Sequence, residues 1–215
     1  MSKKNGVSSI VDVAAETTGQ AARDARYEFS VPFRALIKIR GAAMLLLHRY
    51  DPAEVEVKAN AQKGSRTKKT DNVESYVDRD AAGNICIPGV NLKACLREAG
   101  GSFPDPRSKR KMSKDLIRAG IFVVPELMKI NGGVKEWEFL DKRGVCVQMS
   151  RVTRVRPGFK EGWTLEAEIR VGQPEHISPA FLERLIRHAG DFEGLGDFRP
   201  DYGRFTVASI EFLPI

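Results

Sequence analysis

Three clusters of positive charge are the most chemically suggestive groups in this sequence. They are Lys63, Arg66, Lys68 and Lys69; then Arg107, Lys109, Arg110, Lys111 and Lys114; then Arg151, Arg154 and Arg156. Guanidinium and ammonium groups at this density bind phosphates, because each phosphate they neutralise releases a counterion. The first two clusters fall in polar, glycine- or proline-bearing stretches, 59–72 and 102–114, that read as loops able to reach around a nucleic-acid backbone. Tyr50, Phe103, Phe159, Phe198 and Tyr202 lie near basic residues, where an aromatic ring can stack on an unpaired base. Tyr202, in a glycine-rich stretch, is expected to be the most exposed of them, whereas Phe205 and Phe212 read as core. The excess of 35 Lys and Arg over 28 Asp and Glu, a formal net charge of +7, agrees with a polyanionic partner.

Other chemistries leave little trace. Of the three histidines, His188 falls late in a predicted helix, where a cation suits the helix dipole. His48, beside Arg49 and Tyr50, is the one candidate acid or base, and a ribonuclease would use it to activate a 2′-hydroxyl. Cys86, Cys95 and Cys146 are too few and too scattered for a zinc site or a disulfide framework, so Cys86 and Cys95 read as core thiols. The stretch Gly194–Gly203 is rich in glycine, but it follows a helix and precedes a strand, the reverse of a phosphate-binding loop, and it lacks the lysine of that motif. No nucleophile elbow or paired-histidine motif occurs, and neither a metal nor a cofactor is expected. No run approaches the ~18 apolar residues of a membrane span, and the N-terminal stretch lacks the apolar centre of a signal peptide. A cytoplasmic protein with no membrane partner is expected.

These groups need elements to position them. Residues 1–26 read as a flexible leader, with regular structure from Tyr27. Phe33–Gly41 alternates as a strand, Met44–Leu47 is a short apolar run, and the alternation Glu54–Lys58 predicts a strand pairing back as a hairpin. After a turn at 80–84 and the strand Ile85–Ile87, Asn91 is expected to cap a helix through Leu92, Cys95, Leu96 and Ala99 that stops at Gly100. Ser113 precedes a short helical turn, Ile121–Val124 reads as a strand, Asn131–Gly133 as a turn, and Val145–Met149 as a short strand running into the third basic cluster. Thr164–Val171 alternates as a strand. Ser178 and Pro179 open a helix whose apolar face is Phe181, Leu182, Leu185, Ile186 and Ala189 and which ends at Gly190. Arg204–Leu213 closes the chain as a strand. Without the hairpins this order is β-α-β-β-α-β, the split unit of an α+β, ferredoxin-like (RRM-like) domain. It predicts one such domain over 27–215 with insertions near 59–72 and 102–114, its helices on one sheet face and the other face or its rim open to a ligand.

The stretch from Gly194-Leu195-Gly196-Asp197-Phe198-Arg199-Pro200 to Asp201-Tyr202-Gly203-Arg204-Phe205, between the last helix and the last strand, resembles the glycine-rich signature of the RAMP superfamily of CRISPR-associated proteins. The segment Ile87-Pro88-Gly89-Val90-Asn91-Leu92-Lys93-Ala94-Cys95-Leu96-Arg97 is similar to the first helix of that family. The resemblance spans residues 33–213. It implies a ferredoxin-like core that binds CRISPR RNA, as a backbone-type subunit or a solitary or phage-borne relative, with the basic 59–72 insertion standing where such subunits carry a hairpin or thumb. Gly194 and Gly196 would then let an RNA backbone or another subunit approach closely, Arg199 and Tyr202 would join the RNA surface, and Asp197 and Arg199 would pair within the loop. The expectation is a non-catalytic protein that binds single-stranded RNA, guide RNA above all, and associates with copies of itself or with effector subunits. Two alternatives stand beside it: a metal-independent endoribonuclease using His48, and a phage-encoded protein–protein module acting on an effector complex.

Overall fold

The computed structural model describes residues 31–62, 65, 72–147 and 150–215, with the main chain alone described at 145–147 and 150–152. The expected leader and the cluster Lys63, Arg66, Lys68 and Lys69 lie outside the described residues. In chain order the strands are β1 (Phe33–Gly41), β2 (Leu45–Leu46), β3 (Asp78–Arg79), β4 (Ile85–Pro88), β5 (Ile121–Val124), β6 (Leu127–Lys129), β7 (Phe139–Val147), β8 (Ser150–Phe159), β9 (Thr164–Val171) and β10 (Phe205–Pro214). The α-helices are α1 (Pro52–Asn60), α2 (Gly89–Ala99), α3 (Lys114–Gly120) and α4 (Pro179–His188).

Strict alternation makes β1 the centre of the main sheet. Phe33, Ala35, Ile37 and Ile39 are buried while Leu36, Lys38 and Arg40 face solvent, as the two-residue repeat of a pleated strand requires. β9 repeats the pattern with Leu165, Ala167, Ile169 and Val171 inward. The sheet runs β10-β1-β9-β5 with every neighbouring pair antiparallel. α2 and α3 lie in the crossover between β1 and β5, and α4 in that between β9 and β10. Their apolar stripes, Leu92, Cys95 and Leu96, Leu116 and Ile117, and Leu182, Leu185 and Ile186, close over the inner face of the sheet in one core. The molecule is thus an α+β protein with antiparallel sheets. Smaller three-stranded sheets, β2-β8-β7 and β3-β4-β6, flank the main one.

Several local expectations change. Glu54–Lys58 is helical, not a hairpin strand. The Asp51 carboxylate accepts from Ala53 N at 3.0 Å, Pro52 occupies the first turn, and Lys58 lies 3.3 Å from Glu54 one turn back. A capped start and an i,i+4 ion pair outweigh the strand preference of Val55 and Val57, which stay exposed because α1 buries none of its residues. α2 starts at Gly89, straight from β4, so Asn91 lies inside the helix instead of capping it. Ser113 stands at the start of α3, but its hydroxyl donates to Pro104 O at 2.8 Å and does not cap the helix. α4 opens as expected, with Ser178 Oγ accepting from Phe181 N at 3.2 Å, but beyond His188 the chain continues into one π-helical turn, Ala189–Glu193. Of the strand expected at 145–149, residues 148–149 lie outside the described residues, and 145–147 are the end of a long ribbon, β7 paired with β8 from Phe139↔Gly158 to Val147↔Ser150. Its polar sequence carries no apolar alternation to announce it.

Candidate nucleic-acid interface

The glycine-rich stretch packs back onto the chain. Leu195 N donates to Gly203 O at 2.9 Å, Asp197 N to Leu46 O at 2.8 Å and Gly203 N to Met44 O at 2.8 Å. Gly194, Gly196 and Gly203 take φ of +73°, +77° and +72°, where an L side chain is strained. A Cβ on Gly194 would lie 2.7 Å from Tyr202 O, and on Gly196 and Gly203 it would overlap the carbonyls of Leu46 and Leu195. The space these glycines leave is therefore filled by the protein's own main chain. Internal packing thus accounts for the lack of side chains at these three positions.

The loop also grips the β7–β8 ribbon. Arg156, its side chain 8% exposed, pairs through Nε with the Asp197 carboxylate, and its guanidinium lies 4.3 Å from the centre of the Phe198 ring. Arg143 stands 4.8 Å from both the Phe198 and Tyr202 rings and donates to Tyr202 Oη at 2.8 Å. Its fork to Asp141 raises its pKa further, as does the Tyr202 bond. Asp197 therefore pairs with Arg156 and not with Arg199, which is exposed. Tyr202 is half-buried, and Arg156 holds the fold together where a phosphate ligand was expected. Arg143 was missed in the sequence because it lies in a polar stretch without apolar alternation; the Asp141-Lys142-Arg143 spacing, which places 141 and 143 on one strand face, is the signal that would have found it.

The same carboxylate reaches His48, whose Nδ1 is 3.6 Å from Asp197 Oδ2. The His48 ring stands edge-on to Tyr76 at 4.5 Å. Beside it, a cleft of about 280 Å³ is lined by the segment His48–Asp51, by Glu54, Val55 and Lys58 of α1, by Tyr76, and by Arg154 of β8. The structure thus brings His48, Tyr50 and Arg154 together. Tyr76 and Lys58 join them unforeseen, being remote in sequence and carrying no local motif. Phe159 is buried in the core, and Phe103 packs edge-on against Phe181 and His188.

The second basic cluster lies elsewhere. In the 102–114 loop Arg107 forks onto the buried Asp105 at 2.8 and 3.0 Å, which holds the Asp105 carboxyl down to about 2. Lys114 is paired with Glu98. Lys109, Arg110 and Lys111 are exposed at the tip. This loop feels the charge of His176, just past the end of β9 that pairs Val171 with Phe33. The glycine loop adjoins the other end of β1, where Gly41 pairs with Phe205. The two are linked on the helix side, where Glu98, the partner of Lys114, lines a hollow with Gly196–Pro200. The side chain of Arg151 lies outside the described residues.

The open face of the main sheet has a mixed charge. Lys38 pairs with Glu166 at 2.8 Å and Arg34 with Glu168 at 3.6 Å, and Arg170 reaches Glu168 as well. A shallow hollow there is lined by Leu36, Ile210 and the carboxylates Glu166, Glu168 and Glu211. Glu166 and Glu168 are thus matched by cations on the same face. Among the described residues no three His, Cys, Asp or Glu side chains group as a metal site, and no helix is long and apolar enough to cross a membrane.

Fold and rim together describe an antiparallel α+β protein that braces an arginine-bearing ribbon with a glycine loop. The chain is similar in fold to a chain of the cryo-EM structure of the Type III-B Cmr-beta bound to cognate target RNA, with a TM-score of 0.50 and 9% identity over 97% of this chain and 68% of that one. No family model matches the sequence, and no curated protein matches it.

Proposed function

We propose that this protein is an RNA-binding, RAMP-like protein built on a ferredoxin-like core, and that it acts as a non-catalytic CRISPR-associated subunit on single-stranded RNA. The observation that carries this reading is the loop Gly194–Gly203. It joins the last helix to the last strand of a sheet ordered β10-β1-β9-β5 and clasps the arginines of a neighbouring ribbon. That strand order, with helices in both crossovers, is what two interleaved β-α-β units produce. The similarity to a chain of an RNA-bound complex supports the same reading. Lys63, Arg66, Lys68, Lys69, Lys109, Arg110, Lys111, Arg151 and Arg154 would meet phosphates, the guide RNA being the favoured ligand, with further copies of the chain or effector subunits as partners.

Fluorescence anisotropy with labelled single-stranded RNA, repeated across a range of salt, tests this. Binding should weaken steeply as salt rises, and reversing the charges of Lys63, Arg66, Lys68 and Lys69 should reduce it at least tenfold. Equal binding by the reversed variant would remove that loop from the interface.

A second reading has one observation in its favour. The 3.6 Å approach of His48 to Asp197 gives the imidazole an orienting carboxylate, as an endoribonuclease acid or base requires. Incubating RNA in EDTA with wild-type protein and His48→Ala decides it: intact RNA in both reactions ends the enzyme reading.

A further inference from the structure

We propose that the tip of the 102–114 loop grips the phosphate backbone of RNA, paired or unpaired, through Lys109, Arg110 and Lys111 and without reading the bases. This rests on the RNA-binding reading and deepens it, naming the part of the ligand that this segment takes.

Uncompensated charge is the first reason. Lys109, Arg110 and Lys111 are exposed, and the ion pairs of this region stop short of them: Arg107 is held by Asp105, Lys114 by Glu98 and Arg118 by Asp115. Among the described residues no carboxylate pairs with any of the three. Elsewhere cations are matched, Arg34, Lys38 and Arg170 on the sheet face, Arg49 beside Asp78, and Arg143 and Arg156 on the ribbon. Three adjacent cations without a matching carboxylate attract a polyanion and release its counterions on contact.

The tip is also presented on an ordered support. Pro104 and Met112 form an antiparallel bridge, Asp105 N donates to Lys111 O at 2.9 Å, and Ser108 N donates to Asp105 O at 3.0 Å. The segment is thus a closed hairpin. Buried Ser113 pins its base, donating from N to Gly100 O and Phe103 O and from Oγ to Pro104 O at 2.8 Å. The buried Asp105 carboxylate accepts from Arg107 N at 2.9 Å as well as from the Arg107 guanidinium. The main chain of the tip is in place before a ligand arrives, so binding costs little in ordering it.

What the hairpin lacks decides the form of the ligand. Residues 104–112 contain no aromatic ring, and Phe103 at the base packs edge-on against Phe181 and His188. With no ring to stack on, an unpaired base gains nothing here over a paired one, while both forms present phosphates, which carry no sequence information.

Fluorescence anisotropy of the full chain with single-stranded and double-stranded RNA of equal length, each over a series of salt concentrations, tests this. Two variants of equal net charge are compared with wild type: Lys109→Gln, Arg110→Gln and Lys111→Gln together at the tip, and Lys38→Gln, Lys135→Gln and Lys160→Gln together at scattered sites. The tip variant should bind both RNAs roughly tenfold more weakly or worse at about 0.1 M salt. Its slope of log affinity against log salt should be shallower by about 2 on the single strand and about 3 on the duplex. The scattered variant should keep the wild-type slope. Residues 110 and 111 hold the hairpin through their main chain, so the tip variant keeps its fold, which circular dichroism verifies. Wild-type affinity and slope in the tip variant overturn the contact and leave the RNA-binding reading standing. An equal loss in the scattered variant shows overall charge at work and overturns the local contact. A loss on the single strand alone overturns the indifference to pairing. No binding of RNA by the wild-type chain overturns both readings. Labelled poly-L-glutamate bound by wild type as tightly as RNA, and lost in the tip variant, assigns the tip to an acidic protein surface and overturns the backbone contact.

Discussion

Arg156 and Arg199 differ by their surroundings more than by their chemistry. Arg156 is almost wholly removed from water, and Asp197 and the Phe198 ring offset part of that loss, its buried Nη1 having no hydrogen-bond partner among the described residues. Arg199 is exposed two residues beyond Asp197. Truncating the first leaves the Asp197 carboxylate with a cation partner missing in a partly buried place. Arg156→Ala should therefore lower the free energy of unfolding by roughly 2–3 kcal/mol, since one half of a largely buried pair is lost. Arg199→Ala should stay within about 0.5 kcal/mol, as surface changes do. Urea unfolding of the two variants measures the difference, and equal stabilities would show that the loop does not depend on the ribbon. Cys95 makes the same point about burial: its thiol is pushed up to about 12 by desolvation, so it stays protonated at neutral pH and reads as packing.

At the level of elements, two helices share a capping chemistry and differ in what they rest on. α4 buries Pro179, Leu182, Leu185 and Ile186, whereas α1 buries nothing. Loss of the Ser178 cap should cost the whole protein about 1 kcal/mol, read as a lower thermal midpoint. Loss of the Asp51 cap should leave that midpoint unchanged and instead speed hydrogen exchange across residues 52–60, because α1 can open without disturbing the core. A global drop in Asp51→Ala would mean that α1 is tied to the core more tightly than its exposed surface shows. The β7–β8 ribbon is a third case. It is held by its own ladder, by β2 at its base and by the loop clasp on Arg143 and Arg156.

The molecule as a whole carries its charge unevenly. Lys109, Arg110 and Lys111 stand exposed at the tip of the 102–114 loop, while on the ribbon Arg143 and Arg156 and on the outer sheet face Arg34, Lys38 and Arg170 are paired with carboxylates. Some of its carboxylates are also what acid attacks. Asp80, bonded by Asn84 and by the turn backbone, and Asp105, forked by Arg107, are both lowered to about 2 from an ordinary value near 4. A carboxyl with a depressed folded pKa stabilises the fold above its unfolded pKa and loses that contribution as pH falls through the folded one. Stability should thus be level from neutral pH to about 4 and decline toward about 2. Asp105→Asn should be less stable than wild type at pH 7 and should show a shallower acid decline in urea titrations at each pH. An unaltered decline would place the acid sensitivity in other groups.

What the amino-acid sequence determines alone is whatever depends on near neighbours. The period of β9 sets its bounds, Ser178 and Pro179 set the start of α4, and the glycines at 194, 196 and 203 mark a loop that needs positive φ. The α+β class follows from the order of these elements. Tertiary structure alone decides the rest, because the deciding partners lie far along the chain. Asp197 meets Arg156 across 41 residues, and Tyr76 meets His48 around α1. Glycine positions that suggest an opening for a ligand are filled by carbonyls of β2 and of the loop itself. A basic residue can be named from sequence; whether it faces a phosphate or locks a loop depends on which carboxylate the fold brings beside it, and no local pattern encodes that.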